Sequence, residues 1–252
     1  MHLAAEAGHM LRRAQAGRRT IDFKGKINLV TEMDRKVEQY IARELKRRFP
    51  DHDLLAEENE KNVESGAAFR WIVDPLDGTT NYAHGLPIYS VSIALMHQGS
   101  VEVGVVYQPV QDEMFTATRG GGARLNGQPI SVSQETQLDC ALLVTGFPYD
   151  LHETDRDNLD HFRNFMKRAR AVRRLGSAAL DLCYVACGRF DGFWELKLAP
   201  WDMAAGGLIA AEAGGRLSAL DGGPYDPFCG TVIASNGRIH EAMERVIRLS
   251  LQ

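Results

Sequence analysis

Residues 69–81, around which the chain is organised, carry an apolar strand that runs straight into two carboxylates. Phe69, Trp71, Ile72 and Val73 read as a buried strand. Asp74 and Asp77 follow, separated by Pro75 and Leu76. Proline fixes its own φ and biases Asp74 towards an extended conformation, so a turn is expected at once. Gly78 lets the backbone come close to a ligand, and Thr79, Thr80 and Asn81 are N-cap candidates for a following helix. Two carboxylates beside a row of backbone N–H groups suit a hard divalent cation that holds a phosphate. An Asx-type turn closed by Asp77 and Gly78, with Asp74 capping, uses the same residues and needs no ligand.

The rest of the composition narrows the class. A chain of 252 residues is one large domain or two small ones, and either buries a sizeable core. A formal charge of −4 gives no general reason to expect nucleic-acid binding. Basic residues cluster at Arg12-Arg13, Arg18-Arg19, Lys46 to Arg48 and Lys167 to Arg174. These read as solvated helix faces, with an RNA or acidic-partner surface as the alternative. Cys140, Cys183, Cys187 and Cys229 form no Cys-x-x-Cys pair. Cys183 and Cys187 are spaced for one helix face, which suits buried thiols in a reducing cytoplasm better than a disulfide framework. No secretory leader and no apolar run of about 18 residues is visible, so the expectation is a cytoplasmic protein with no membrane association.

In chain order, residues 3–16 show helical spacing, and Lys24 to Asn28 form a polar, glycine-bearing loop. Thr31 and Asp34 fit a capping box for a helix whose apolar positions are Val37, Ile41 and Leu45. Residues 53–56 form a short strand ending at Glu57-Glu58. Strand-like segments at 88–97, 101–107 and 112–118 follow the central motif. Tyr89, Val91 and Ile93 alternate with Ser90, Ser92 and Ala94, which describes an antiparallel meander with one covered face. Gly120 to Gly127 lacks the Lys and Ser/Thr of a P-loop and reads as hairpin punctuation, with Asn126-Gly127 as its turn.

Beyond about residue 138 strands alternate with helices, so we expect an N-terminal α+β subdomain at 1–138 and a C-terminal α/β subdomain at 139–252. The expected order is strand 141–145, helix 155–168, strand 170–174, helix 177–187, strand 190–195 and helix 202–213. Short strands near 215–220 and 230–235 and a helix from 238 complete it. Ser177 stands at a helix start, Glu195 at a strand end, and Asp202 opens a helix of very small residues. N-capping explains Ser177 and Asp202 without a ligand, and a surface strand end explains Glu195.

Glu57, Asp74, Asp77 and Asp202 all sit where layered folds build their sites. If they converge, each like-charged pair at about 4 Å costs roughly 4 kcal/mol at an effective dielectric near 20, and bound cations or protonation must offset it. Oxygen-only donors favour Mg²⁺ over zinc, and Mg²⁺ with carboxylates points to phosphate-ester hydrolysis.

Two stretches, Asp74-Pro75-Leu76-Asp77-Gly78-Thr79-Thr80-Asn81 and Trp201-Asp202-Met203-Ala204-Ala205-Gly206 through Glu212-Ala213-Gly214-Gly215, resemble the two motifs of the inositol monophosphatase family. Glu57-Glu58 stands where that family has its upstream glutamate pair. The likeness continues through Leu29-Val30-Thr31-x-x-Asp34 and through Arg174 to Leu182, and it is nearest the bacterial extragenic-suppressor (SuhB-type) branch. It departs at Ala56, where the family commonly has glycine, and it aligns the family's loop lysine with either Lys24 or Lys26.

The resemblance implies an αβαβα five-layer sandwich of the inositol monophosphatase and fructose-1,6-bisphosphatase type, usually a homodimer. It implies Li⁺-sensitive hydrolysis of inositol monophosphate with two or three Mg²⁺ ions. Glu57, Asp74 and the Leu76 carbonyl would hold one ion, Asp74, Asp77 and Asp202 a second, and Glu57 with waters a third. Gly78 and Thr79 would donate backbone N–H groups to the phosphate, and Thr79 paired with Asp34 would position the attacking water. Gly176, Ser177, Ala178 and Glu195 would line the polyol pocket. Related members cleave fructose 1,6-bisphosphate, the 2′-phosphate of NADP or 3′-phosphoadenosine 5′-phosphate. Members of the suppressor branch also act with RNA polymerase and Nus factors in transcription antitermination, and Lys167 to Arg174 is the candidate surface for that role.

Overall fold

Amphipathic spacing at the N-terminus becomes helix α1 (His2–Gln15), which buries Leu3, Ala4, Ala7 and Leu11 along one stripe. The structure, a computed structural model, describes residues 1–15, 21–23, 29–58 and 65–249, so Lys24 and Lys26 lie outside the described residues. An antiparallel pair of short strands, β1 (Ile21–Phe23) and β2 (Leu29–Thr31), flanks the segment read as a plain loop. Helix α2 (Glu32–Arg48) buries Val37, Ile41 and Leu45 as its spacing requires.

Seven strands then form one sheet in chain order: β3 (Asp53–Ala56), β4 (Phe69–Asp77), β5 (Ser90–His97), β6 (Ser100–Gln108), β7 (Glu113–Thr118), β8 (Ala123–Leu125) and β9 (Gln128–Pro129). Strand β3 runs parallel to β4 and every later pairing is antiparallel. A short helix, α3 (Thr79–His84), leads from β4 towards β5. Asn126 and Gly127 both take positive φ, 50° and 80°, and turn β8 into β9 as a two-residue hairpin demands.

After a 3₁₀ turn at Leu138–Cys140, strands and helices alternate as β10 (Leu142–Thr145), α4 (Leu159–Met166), β11 (Ala171–Arg173), α5 (Ala178–Ala186), β12 (Gly192–Leu196), α6 (Pro200–Glu212), β13 (Arg216–Ser218), β14 (Thr231–Ser235) and α7 (His240–Arg248). Their sheet has the order β11-β10-β12-β14-β13, with β10 parallel to β11 and β12, and β14 antiparallel to its neighbours. Helix α4 starts later than its apolar spacing suggests, because Asn158 at φ 73° holds the N-cap position and spends its side chain elsewhere.

Three apolar clusters define five layers, α1/α2, the seven-stranded sheet, α5/α6, the five-stranded sheet and α4/α7, which is the expected αβαβα sandwich. The outer clusters hold α1 and α2 against one sheet and α4 and α7 against the other. In the latter Phe165 stacks on Trp194 with centroids 4.0 Å apart. The central cluster buries α5 and α6 between the sheets. This corrects the expectation of a meander with one covered face. Val91 and Ile93 face α1 and α2, while the alternating Ser90 and Ser92 are 0% and 1% exposed beneath the central helices. Small serines fit that narrow gap, and their hydroxyls are satisfied: Ser92 Oγ donates to the Trp201 carbonyl at 3.1 Å. All four cysteines are free, with Cys183 buried in the central layer.

Helix α6 lies close to the sheet because both surfaces are stripped of side chains. A Cβ on Gly104 would stand 2.7 Å from the Ala205 carbonyl oxygen, and that neighbour is backbone and cannot rotate away. Gly104→Ala is therefore expected to cost about 1–3 kcal/mol, a fall of several degrees in Tm by calorimetry. An unchanged Tm would mean that α6 is not seated on β6 as described.

Candidate active site

Strand β4 does not stop before its acids, as the sequence suggested, but continues through Asp77. Asp74 pairs with Ser92 and Asp77 with Ser90, so Pro75 and Leu76 together oppose the single residue Val91. Residues three apart on a regular strand point to opposite faces, and the extra residue of this bulge returns both carboxylates to the same face. Proline belongs at such a place, since the bulge asks for no ladder N–H from it.

Asp202 arrives on that face from the first turn of α6. It occupies the third helical position rather than the cap, and its Oδ2 accepts the Ala199 backbone N–H at 2.7 Å. Ligand atoms of Asp74, Asp77 and Asp202 all lie within 4.8 Å of one another. Glu57, half-buried just past β3, adds its charge: after burial it is the largest influence on Asp74. Ala56, before it, is fully buried at the strand end.

The supporting bonds fix each acid in place. Leu76 N–H donates to Asp74 Oδ1 at 2.9 Å. Ser177 Oγ, Ala179 N–H (2.9 Å) and Ser90 Oγ (3.4 Å) all donate to Asp77 Oδ2. Ser177 thus sits at the cap position of α5 but gives its hydroxyl to Asp77 instead of capping. Thr79 Oγ1 lies 2.9 Å from Asp34 Oδ1 and 3.0 Å from the Leu76 carbonyl oxygen, so the pair expected from the resemblance is formed. Gly78, at φ 94°, holds the N-cap of α3, and Thr79 is the first helical residue rather than a cap. A side chain at 78 would meet backbone of Ile88 and Gly176 at 3.0 and 3.2 Å.

Asn81, read from the sequence as a cap candidate, is a staple between the two motifs. Its Nδ2 donates to the Ile88 and Leu175 carbonyls, both at 2.8 Å, and so holds the turn at Gly176 against α3. A cleft opens here, with Gly78, Gly176, Ser177, Ala178, Glu195 and the two acids Asp77 and Asp202 on its walls. Tyr149, Arg174 and Lys197 also line it, and nothing in their local sequence distinguishes them. Asp181 is the other residue missed, although an acid inside an apolar helix was a visible signal. It is buried on α5 and neither carboxyl oxygen has a hydrogen-bond partner among the described residues.

The electrostatics follow from this crowding. Burial, then the charges of Glu57, Asp77 and Asp202, push Asp74 well above the ordinary carboxylate range. Burial with Asp77 and Glu57 does the same to Asp202. Asp77 is pushed up by burial to about 6, its Ser177 and backbone donors limiting the rise. Burial raises Glu195 and Asp181 as well. A donor set made only of oxygen, buried and mutually repulsive, fits a hard divalent cation.

Residues 1–251 match the sequence profile that describes the inositol monophosphatase family. The inositol-1-monophosphatase of Synechocystis sp. is 48% identical over 92% of this chain and 81% of that protein. The Nus factor SuhB of Pseudomonas aeruginosa is 43% identical over 91% of this chain and 86% of that one. The crystal structure of the extragenic suppressor protein suhB from Bartonella henselae matches with a TM-score of 0.90 at 41% identity, covering 98% of this chain and 96% of that chain.

A raised carboxylate pKa means that the metal-free native state holds protons the unfolded chain has lost. Its contribution to stability is complete below pH 3.8 and, for Asp77, is lost as pH rises through about 6. A divalent cation replaces those protons. The gain in Tm on adding the cation to chelator-treated protein is expected to grow across that window. A gain of the same size at every pH would show that these acids do not share the ion.

Proposed function

Because the chain belongs to the inositol monophosphatase family, we propose that this phosphatase hydrolyses inositol monophosphate to inositol and phosphate, with Mg²⁺ held by its acidic cluster. The observation that carries the reading is the meeting of Asp74, Asp77 and Asp202 within 4.8 Å at the end of a cleft walled by Glu195.

Glu57, Asp74 and the Leu76 carbonyl would hold one Mg²⁺, Asp74, Asp77 and Asp202 a second, and Glu57 with waters a third. When bound, the ions ease ionisation of water near neutral pH and stabilise charge on the departing oxygen. Thr79 Oγ1 has one proton to give and Asp34 receives it, which turns the hydroxyl's lone pairs outward to accept from the attacking water. The Gly78 and Thr79 backbone N–H groups, at the start of α3, would orient phosphate oxygens. Ser177 and Ala179 keep Asp77 from rotating while the ester bond breaks. Glu195, buried at the cleft wall, accepts hydrogen bonds from ring hydroxyls of the polyol, while Gly176 and Ala178 leave room for the ring. Water supplies the oxygen that joins phosphorus, and the alcohol leaves with a proton.

Phosphate release from inositol monophosphate is expected to require Mg²⁺. In Asp74→Asn it should fall on the order of 10²–10³-fold, the equivalent of several kcal/mol of lost charge stabilisation. Turnover at the unmodified rate in that variant would remove Asp74 from the site.

A second role is favoured by relatives named Nus factor SuhB and by the exposed basic edge at Lys167, Arg168, Arg170, Arg173 and Arg174. That edge would meet RNA polymerase or a Nus factor, and the chain would act as a homodimer. Purified RNA polymerase or Nus factors should be retained by the intact chain and lost with Arg170→Glu/Arg173→Glu. Equal retention by both forms would reject the surface, and sedimentation tests the dimer.

A further inference from the structure

One wall of the cleft, residues 146–149, takes no part in the chemistry above, yet it is held firmly at both ends. At the near end Asn158 Nδ2 donates to Thr145 Oγ1 (2.9 Å) and to the Gly146 carbonyl (2.6 Å), while its Oδ1 accepts from Trp194 Nε1 at 2.8 Å. Thr145 Oγ1 in turn donates to the Trp194 carbonyl at 2.6 Å. These bonds tie the segment to β12, the strand that carries Glu195. A Cβ at Gly146 would meet the Glu195 carboxylate, so a side chain there would displace that carboxylate from the cleft wall. At the far end Asp150 Oδ2 accepts from Lys197 Nζ at 2.7 Å, and Lys197 is held at φ 59° just beyond β12.

Tyr149 stands between these anchors, 53% exposed, on the same cleft as Asp77, Gly78 and Asp202. Its hydroxyl makes no hydrogen bond among the described residues. Burial, then the charges of Glu57, Asp77, Asp202 and Asp74, push its pKa up, so the phenol keeps its proton in the cleft it shares with Asp77, Gly78 and Asp202. Once cations occupy the carboxylates, a phosphoryl oxygen is the natural acceptor for such a donor.

We propose that Tyr149 is a phosphate-binding residue of this site, its phenol O–H donating to a phosphoryl oxygen, and that the Asp150–Lys197 pair is the latch that positions it. The inference rests on the phosphatase reading but concerns the phosphoryl group and not the alcohol it leaves.

The test is calorimetric titration of the Mg²⁺-loaded full chain with inorganic phosphate, beside steady-state phosphate release. Tyr149→Phe, a conservative change at a half-exposed position, is expected to weaken phosphate binding about tenfold or more, the loss of one hydrogen bond to a charged group. It should lower kcat/KM by a similar factor and leave Mg²⁺ affinity unchanged. Lys197→Met should weaken phosphate binding when Tyr149 is present and add nothing to Tyr149→Phe, and the reversed pair Asp150→Lys/Lys197→Asp should restore it. Wild-type phosphate affinity in Tyr149→Phe overturns the proposal. An equal effect of Lys197→Met in both backgrounds overturns the latch, since Lys197 would then act on the anion itself. Tyr149-dependent phosphate binding without turnover of inositol monophosphate would uphold Tyr149 and reject the substrate instead.

Discussion

Mutual repulsion among Asp74, Asp77 and Asp202 is the constraint on which the rest of the structure depends. Carboxylates within 4.8 Å of one another, two of them buried, cost several kcal/mol if all are ionised. Folding can assemble them only if protons or cations make up the difference, and burial, joined by the neighbouring charges at Asp74 and Asp202, raises their pKa values accordingly. The same repulsion suits the cluster to a cation, because an ion that entered would relieve every pair at once.

The scaffold holds the acids together from three separate elements. The bulge in β4 turns Asp74 and Asp77 to one face. Helix α6 brings Asp202 to that face because its alanines and glycines, with Gly104 beneath, let it lie in the narrow layer between two sheets. Asn81 and Ser177 then bind α3, β4 and α5 into one unit, so the acids at one end of the cleft and the Gly176 turn beside them cannot drift apart. Buried serines on β5 complete the arrangement: Ser90 supports Asp77 and Ser92 holds the peptide next to Asp202. The expected solvent face of that meander is therefore the inner lining of the site.

The far end of the cleft follows a different logic. Glu195 and Asp181 are buried near one another with Arg174 as the moderating charge, and Asp181 has no hydrogen-bond partner for either oxygen among the described residues. Burial away from water disfavours the charged form of both carboxyls and pushes both well above the ordinary carboxylate range. Residues 145–150 close this end as a wall pinned to β12, which is why Tyr149 can be exposed and yet positioned.

What the sequence by itself determined is local. Spacings of two and of about 3.6 residues placed the main helices and strands, and Asp-Pro-x-Asp-Gly with a second acid before a small-residue helix marked out acids suited to a hard cation without showing that they meet. It left each of Ser177, Asn81 and Asp202 with a sufficient capping role, because a cap needs only its own neighbours. Tertiary structure alone decided that Ser177 serves Asp77, that Asn81 joins two motifs, that β5 is covered on both faces and that Tyr149 reaches the site. The physical reason is that side-chain periodicity encodes which face of an element is apolar, but not which other element covers it. That pairing is set by how closely the layers can approach, and here the approach depends on glycines and serines whose lack of bulk leaves no periodic signal.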